Sequence, residues 1–211
     1  MSIRVAILGC GSISRGHVQR FLADADVEIV ACADPNPAAT EAVAAMVGKA
    51  RGVTPRCFDT PEAALAAGAV EAVGIFTPHT LHFTHAMAAL EAGAHVLLEK
   101  PMVCAVAHAE TLVAKAAAVQ RVLAVAYQMR LLPAFQNARR LIRSGALGEL
   151  RAVAVTLTQD WVERITASGR VWRFNPALSG GGELMDSGSH LLDLMLWASG
   201  LEPEEVFAFT D

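Results

Sequence analysis

The sequence carries no run of basic residues, a single tyrosine, and no apolar stretch of the length that a bilayer crossing needs. With a formal net charge of -4, the missing basic cluster excludes nucleic acid or an anionic membrane as the main partner. The missing apolar run excludes a transmembrane helix. The first residues read as a strand rather than a secretory leader, so a cytoplasmic location is expected. Cysteine is scarce: Cys10, Cys32, Cys57 and Cys104 show neither C-x-x-C spacing nor a metal pattern, and are read as reduced core thiols. His79, His82 and His85 recur every third residue, but no cysteine or carboxylate lies beside them. The first and last diverge by about 120° on a helix, so no metal site is expected. What remains, 54% hydrophobic and 18% charged, is a globular chain of one or two domains whose partner is a small, non-polymeric ligand.

Apolar runs and glycine turns alternate along the first part of the chain. Ile3 to Leu8, apolar apart from Arg4, leads into Gly9-Cys10-Gly11-Ser12-Ile13-Ser14, a buried strand feeding a glycine turn and a helix. Gly9 permits the turn and Gly11 lets backbone N–H groups approach a pyrophosphate at the helix N-terminus; the third small position is Ser14 rather than glycine. A second apolar run, Val27 to Ala33, ends in Asp34, 25 residues after Gly9, where a ribose-binding carboxylate belongs. A carboxylate there repels a 2′-phosphate and no arginine follows it, which favours NAD over NADP. The other role open to Asp34 is a turn residue ahead of two prolines. Helices over Pro37 to Val47, Pro61 to Ala67, Ala86 to Ala92 and Ala105 to Ala118 then alternate with strands near Cys57, over Val70 to Phe76, Val96 to Leu98 and Val122 to Ala126. This pattern predicts a doubly wound parallel sheet with right-handed crossovers. Ligands bind such sheets at the carboxyl ends of the strands, so the glycine turn, Thr77 to His82 and Glu99-Lys100-Pro101 should converge.

The stretch Gly180 to Gly200 carries the remaining chemistry. At 100° per residue, Asp186, His190, Asp193 and Trp197 fall within roughly 60° of one another on a helix otherwise covered by leucines. An acid and an imidazole on a buried helix face read as a cleft. The same pattern also fits a helix-capping Asp186 with His190 and Asp193 as satisfied core residues. From Leu131 to Ser144 an amphipathic helix ends at Gly145, after which Glu149 to Thr158 and Val206 to Thr210 read as strands.

Taken together, GCGSISRGH, the aspartate after the second strand, TPHTLH, AGAHVLLEKP and GGGELMDSGSHLLDLMLWASG resemble the Gfo/Idh/MocA family of NAD(P)-dependent oxidoreductases over all 211 residues. The most specific part is EKP followed about 85 residues later by D-x-x-x-H. The resemblance implies a Rossmann-type dinucleotide-binding domain over 1–127. It implies a substrate and oligomerisation domain of α+β type with an open, mainly antiparallel sheet over 128–211, incomplete here and the surface through which a homo-oligomer would form. It implies Lys100, Asp186 and His190 as the catalytic group, with the Lys100-Pro101 peptide cis. Cofactor contacts are expected at Gly9, Gly11, Ser12, Ile13, Asp34, Thr77, Pro78, His82, Glu99 and Lys100, and substrate contacts at Gln128, Arg173, Asp186 and His190. His79 stands where the family usually has asparagine.

The residue types support this assignment. Oxidising a secondary alcohol removes a hydride and a proton, which calls for a base near neutrality and a cation beside the developing alkoxide. His190 and Lys100 supply these, and Asp186 can orient the imidazole. The expectation is hydride transfer between NAD(H) and a secondary alcohol or ketone of a sugar, cyclitol or related polyhydroxylated compound. The alternative is a non-catalytic NAD-binding regulator on the same fold.

Overall fold

Strands that are apolar on both sides must be covered on both sides, and the inner strands of the six-stranded sheet in this protein are of that kind. The computed structural model describes residues 2–68, 70–169 and 171–209. The chain divides into two compact units, Met1–Ala126 with Val171–Gly181, and Tyr127–Arg170 with Gly182–Asp211.

The first unit runs β1 (Ile3–Leu8), α1 (Ser12–Ala23), β2 (Val27–Ala33), α2 (Pro37–Arg51), β3 (Arg56–Phe58), α3 (Pro61–Ala66), β4 (Ala72–Ile75), a 3₁₀ turn (His79–Leu81), α4 (His82–Glu91), β5 (His95–Leu98), α5 (Val106–Ala118) and β6 (Leu123–Val125). The strands lie in the order β3-β2-β1-β4-β5-β6 and every ladder is parallel. The order reverses between β1 and β4, which opens a crevice at their carboxyl ends. Successive residues of β1 point to opposite faces. Val5 and Ile7 pack with Val18, Ile29 and Val43 against α1 and α2. Ala6 and Leu8 pack with Ile75, Leu90, Leu98 and Leu112 on the side of α4 and α5. Local sequence sets the helix ends: Asn36 and Thr60 accept hydrogen bonds from Ala38 N and Ala63 N ahead of prolines, and Gly52 closes α2 at φ 73°.

The second unit contains a 3₁₀ turn (Gln128–Leu131), α6 (Pro133–Arg143) and α7 (Trp161–Ala167). The chain then returns to the first unit as a 3₁₀ turn (Val171–Phe174) and α8 (Pro176–Ser179). It re-enters the second unit through a π-helical turn (Leu184–Gly188) and α9 (Ser189–Ser199), which packs against α6.

One expectation is not seen here and another needs correcting. Among the described residues, 149–158 and 206–209 form no strand, so the expected antiparallel sheet of the second unit is not seen there, while Thr210 lies outside them. Val153, Val155, Phe207 and Phe209 are exposed accordingly, the last at 91%. Alternation gives a segment one apolar side; a strand also needs a hydrogen-bonded neighbour, and none of the described residues supplies it. The cysteines, all reduced, are not all core residues. Cys10 and Cys32 are buried, but Cys57 is exposed because β3 is an edge strand, and Cys104 is half-buried in the loop after β5.

One glycine controls the approach of β1 to β4. Gly9 has φ +85°, and a Cβ there would meet the carbonyl carbon and oxygen of Phe76 at 2.7 Å and Thr77 N at 2.9 Å. Both the left-handed conformation and the backbone contact forbid a side chain. Gly9→Ala is therefore expected to destabilise the protein by at least about 2 kcal/mol, read as a lower urea midpoint with an unchanged slope. An unchanged midpoint would show that the two loops can separate at little cost.

Candidate active site

The first group of candidate residues surrounds the crevice at the carboxyl ends of β1, β2, β4 and β5. Gly11 precedes α1, and a Cβ there would meet nothing within 4 Å. Among the described residues no side chain caps α1 at this end, so its first N–H groups point into open space, as a pyrophosphate site requires. Ser12 is exposed and Ile13 is 41% exposed at the same edge. Ser14, in the third small position, is buried and donates its hydroxyl to Gly11 O at 2.7 Å, so it packs where a glycine is usual. The Asp34 carboxylate accepts from Cys10 N at 2.8 Å and from Asn36 N at 2.9 Å. Asp34 thus shapes its own turn, the second of the two sequence readings, and its carboxylate lies against the glycine loop. These features fit a dinucleotide: open space before Gly11, a helix N-terminus without a side-chain cap, and an acid beside the glycine loop.

The loops after β4 and β5 are braced by buried histidines. His82, fully buried, places Nδ1 2.8 Å from Pro101 O and Nε2 3.0 Å from Thr77 O. His85 Nδ1 lies 3.0 Å from Thr77 Oγ1. Burial pushes the pKa of both histidines below the ordinary value of 6.5. The Lys100-Pro101 peptide is cis. Glu99, 5% exposed, accepts from Lys100 N at 3.1 Å through Oε2, and its Oε1 lies 2.9 Å from His17 Nε2. Gly9 against Phe76, His82 between Thr77 and Pro101, and His17 on Glu99 thus draw the three loops together. His17 was not singled out from the sequence, although its spacing from Ser14 puts both on the buried side of α1.

His79, which stands where the family usually has asparagine, is held within the first unit. Its Nδ1 lies 2.9 Å from Ser179 O, and its ring meets Trp172 edge-on at 4.9 Å. Thr80 Oγ1 donates to Ala177 O at 2.8 Å. These contacts hold Val171–Gly181 on the first unit, where Arg173 lies over the Trp172 ring at 4.3 Å. Pro78 starts the same loop and is half-buried.

Asp186 and His190 belong to the second unit. Asp186 is 7% exposed in the π-helical turn and accepts from Trp161 Nε1 at 3.1 Å. His190, on α9, meets the Tyr127 ring edge-on at 5.9 Å. The other two members of the polar stripe are structural. Asp193 accepts from Arg130 Nε at 2.8 Å, and Trp197 lies under Arg139 at 4.3 Å. The pairing with Asp193 raises Arg130, and burial, then the same aspartate, raises Tyr127, which stays a neutral phenol. Gln128 is exposed on the 3₁₀ turn beside Tyr127. Trp161 and Tyr127 carried no sequence signal for these contacts, which join segments far apart in the chain.

A parallel sheet of this order, with a glycine turn at the point where the order reverses, defines a Rossmann-type dinucleotide-binding fold. Residues 3–127 match the family model described as the oxidoreductase family, NAD-binding Rossmann fold, and residues 135–211 match the GFO/IDH/MocA C-terminal domain. The chain belongs to the Gfo/Idh/MocA oxidoreductase family. D-glucoside 3-dehydrogenase of Escherichia coli K12 is 31% identical over 199 residues, covering 94% of this chain and 54% of that protein. Inositol 2-dehydrogenase of Rhizobium meliloti is 29% identical over 211 residues, covering 99% of this chain and 58% of its own. The WlbA dehydrogenase of Bordetella pertussis, solved with NADH and UDP-GlcNAcA, superposes with a TM-score of 0.80 at 30% identity, over 93% of this chain and 55% of that one. The chain thus spans little more than half the length of these relatives.

The buried histidines make the first unit acid-sensitive. Their folded-state pKa values lie below 6.5, so acid protonates the unfolded chain first. Stability is full above about pH 6.5 and falls as the pH drops through the depressed values. Urea unfolding at pH 7.5 and 5.5 should show the lower midpoint at 5.5, with a smaller drop in His85→Gln. A midpoint that rises on acidification would contradict this.

Proposed function

We propose that this protein is an NAD-dependent dehydrogenase that transfers a hydride between NAD(H) and a secondary alcohol or ketone of a sugar, cyclitol or related polyhydroxylated compound. The carrying observation is the pairing, in one chain of this family, of the Glu99-Lys100-Pro101 loop at the dinucleotide crevice with an Asp186 carboxylate held by Trp161 one turn before His190. The relatives described above are named for the oxidation of sugar and cyclitol hydroxyls, which supports the substrate class.

In this reading residues 1–127 bind the cofactor and 128–211 contribute substrate contacts and the oligomer surface, in a cytoplasmic protein. No helix among the described residues is long and apolar enough to cross a membrane. Gly9, Gly11, Ser12 and Ile13 receive the pyrophosphate, Asp34 the adenosine ribose, and Thr77, Pro78 and Lys100 the nicotinamide half, with the buried His82 and Glu99 shaping those loops from behind. The Asp34 carboxylate excludes a 2′-phosphate, so NAD is preferred to NADP. Bound NAD supplies the hydride acceptor. His190 takes the hydroxyl proton, Lys100 stabilises the developing alkoxide, and Asp186, fixed by the Trp161 indole, orients the imidazole and holds a neighbouring hydroxyl. Gln128 and Arg173 are further substrate contacts in this scheme.

A panel of polyols and aldoses, offered with NAD and followed by the absorbance of reduced nicotinamide, tests the assignment. Turnover on at least one member is expected, with His190→Ala slower by roughly 10²–10⁴-fold and NAD affinity nearly unchanged. Tight NAD binding without turnover on any member would favour the regulatory alternative, and near-normal turnover in His190→Ala would remove the base assignment.

A further inference from the structure

His17 and Glu99 form a buried ionisable pair, and His17 has no part in the proposed chemistry. Their side chains are 9% and 7% exposed, and the His17 ring lies on Phe76 at 4.6 Å. Placing a carboxylate in such a position is costly unless its oxygens are engaged, and here each has one partner. Oε1 takes the imidazole of α1, and Oε2 takes the backbone N–H of Lys100. Glu99 N in turn donates to Ile75 O at 3.0 Å, which ties the residue to β4. The carboxylate therefore joins the helix whose N-terminus receives the pyrophosphate to the residue assigned above as the alkoxide-stabilising cation.

We propose that His17 is a positioning residue: by fixing the Glu99 carboxylate it sets the backbone of Lys100 relative to the phosphate-binding helix α1. The proposal rests on the dehydrogenase reading for its catalytic consequence but not for the coupling itself. Without the imidazole, Oε1 loses its donor, and the carboxylate turns toward water. That change weakens its hold on the Lys100 amide. A shift of about 1 Å at a catalytic group lowers rates by around 10²-fold.

Two variants separate positioning from bulk stability. His17→Leu keeps an apolar side chain of similar size and removes the donor, whereas His17→Gln returns a neutral N–H donor to Glu99. Amide hydrogen exchange is read at Lys100 and, as an internal control, at Val96 to Leu98 in β5. In His17→Leu the Lys100 amide is expected to exchange at least about tenfold faster while the β5 amides keep their protection, and His17→Gln should restore it. With the substrate found in the polyol screen, kcat of His17→Leu should fall by about 10–100-fold with KM for NAD and polyol changing less than about threefold, again recovered in His17→Gln. Unchanged exchange at Lys100 in His17→Leu overturns the coupling, and so does faster exchange spread equally over β5. If the wild type shows no turnover, the dehydrogenase reading fails while the exchange result still decides the coupling. Should His17→Leu not fold, His17→Gln with wild-type exchange at Lys100, set against Glu99→Gln with faster exchange there, supports the same link. Equal exchange in these two variants overturns it.

Discussion

The contact between Gly9 and the backbone of Phe76 and Thr77 is the constraint on which the crevice depends. A parallel sheet leaves its ligand-binding edge to loops, and loops do not converge unless something brings their backbones within van der Waals distance. Here the absent side chain at Gly9 lets the ends of β1 and β4 meet, and Phe76 then forms the floor on which the His17 ring rests. His82, reaching carbonyls on both Thr77 and Pro101, extends the same arrangement to β5. The surface facing the cofactor is thus assembled from backbone groups and short bonds, with few flexible side chains.

Much of this frame was legible in the sequence because its physics is local. Strands covered on both faces must be continuous apolar runs, so β1, β2, β4 and β5 stand out, and the helices between them follow from their caps and alanine-rich faces. Gly9, Gly11 and Asp34 follow equally, since each is required by a backbone or charge demand within its own βαβ unit. The second unit was less legible. The alternation over Glu149 to Thr158 states which side of a strand would be apolar and nothing about whether a neighbouring strand is present. The π-helical turn also falls outside a reading at 100° per residue. Gly188 ends that turn with right-handed helical backbone, φ -63° and ψ -28°, so nothing in its dihedrals calls for glycine.

Long-range partners decide the rest. The stripe Asp186, His190, Asp193 and Trp197 looked uniform along the helix, yet Arg130 and Arg139 claim Asp193 and Trp197 for packing against the preceding segments. Asp186 is held instead by the Trp161 indole, and His190 meets the Tyr127 ring. His79 is a similar case: in sequence it is a departure from the family's asparagine, and in the structure it holds the carbonyl of Ser179, a hundred residues away. The substitution is matched by a partner that no local pattern displays. Such pairs also explain why Val171–Gly181, which follows α7 in sequence, is packed on the dinucleotide-binding unit.

The central claim is that this crevice is built for NAD, with the Asp34 carboxylate reading the adenosine ribose. Calorimetric titration of NAD and of NADP into the wild type and into Asp34→Asn tests it most directly, because asparagine keeps an acceptor for the Cys10 amide while removing the charge. The account predicts that the wild type binds NAD at least about tenfold more tightly than NADP, a difference of about 1.4 kcal/mol, and that Asp34→Asn narrows the gap. Equal or tighter binding of NADP by the wild type would contradict it.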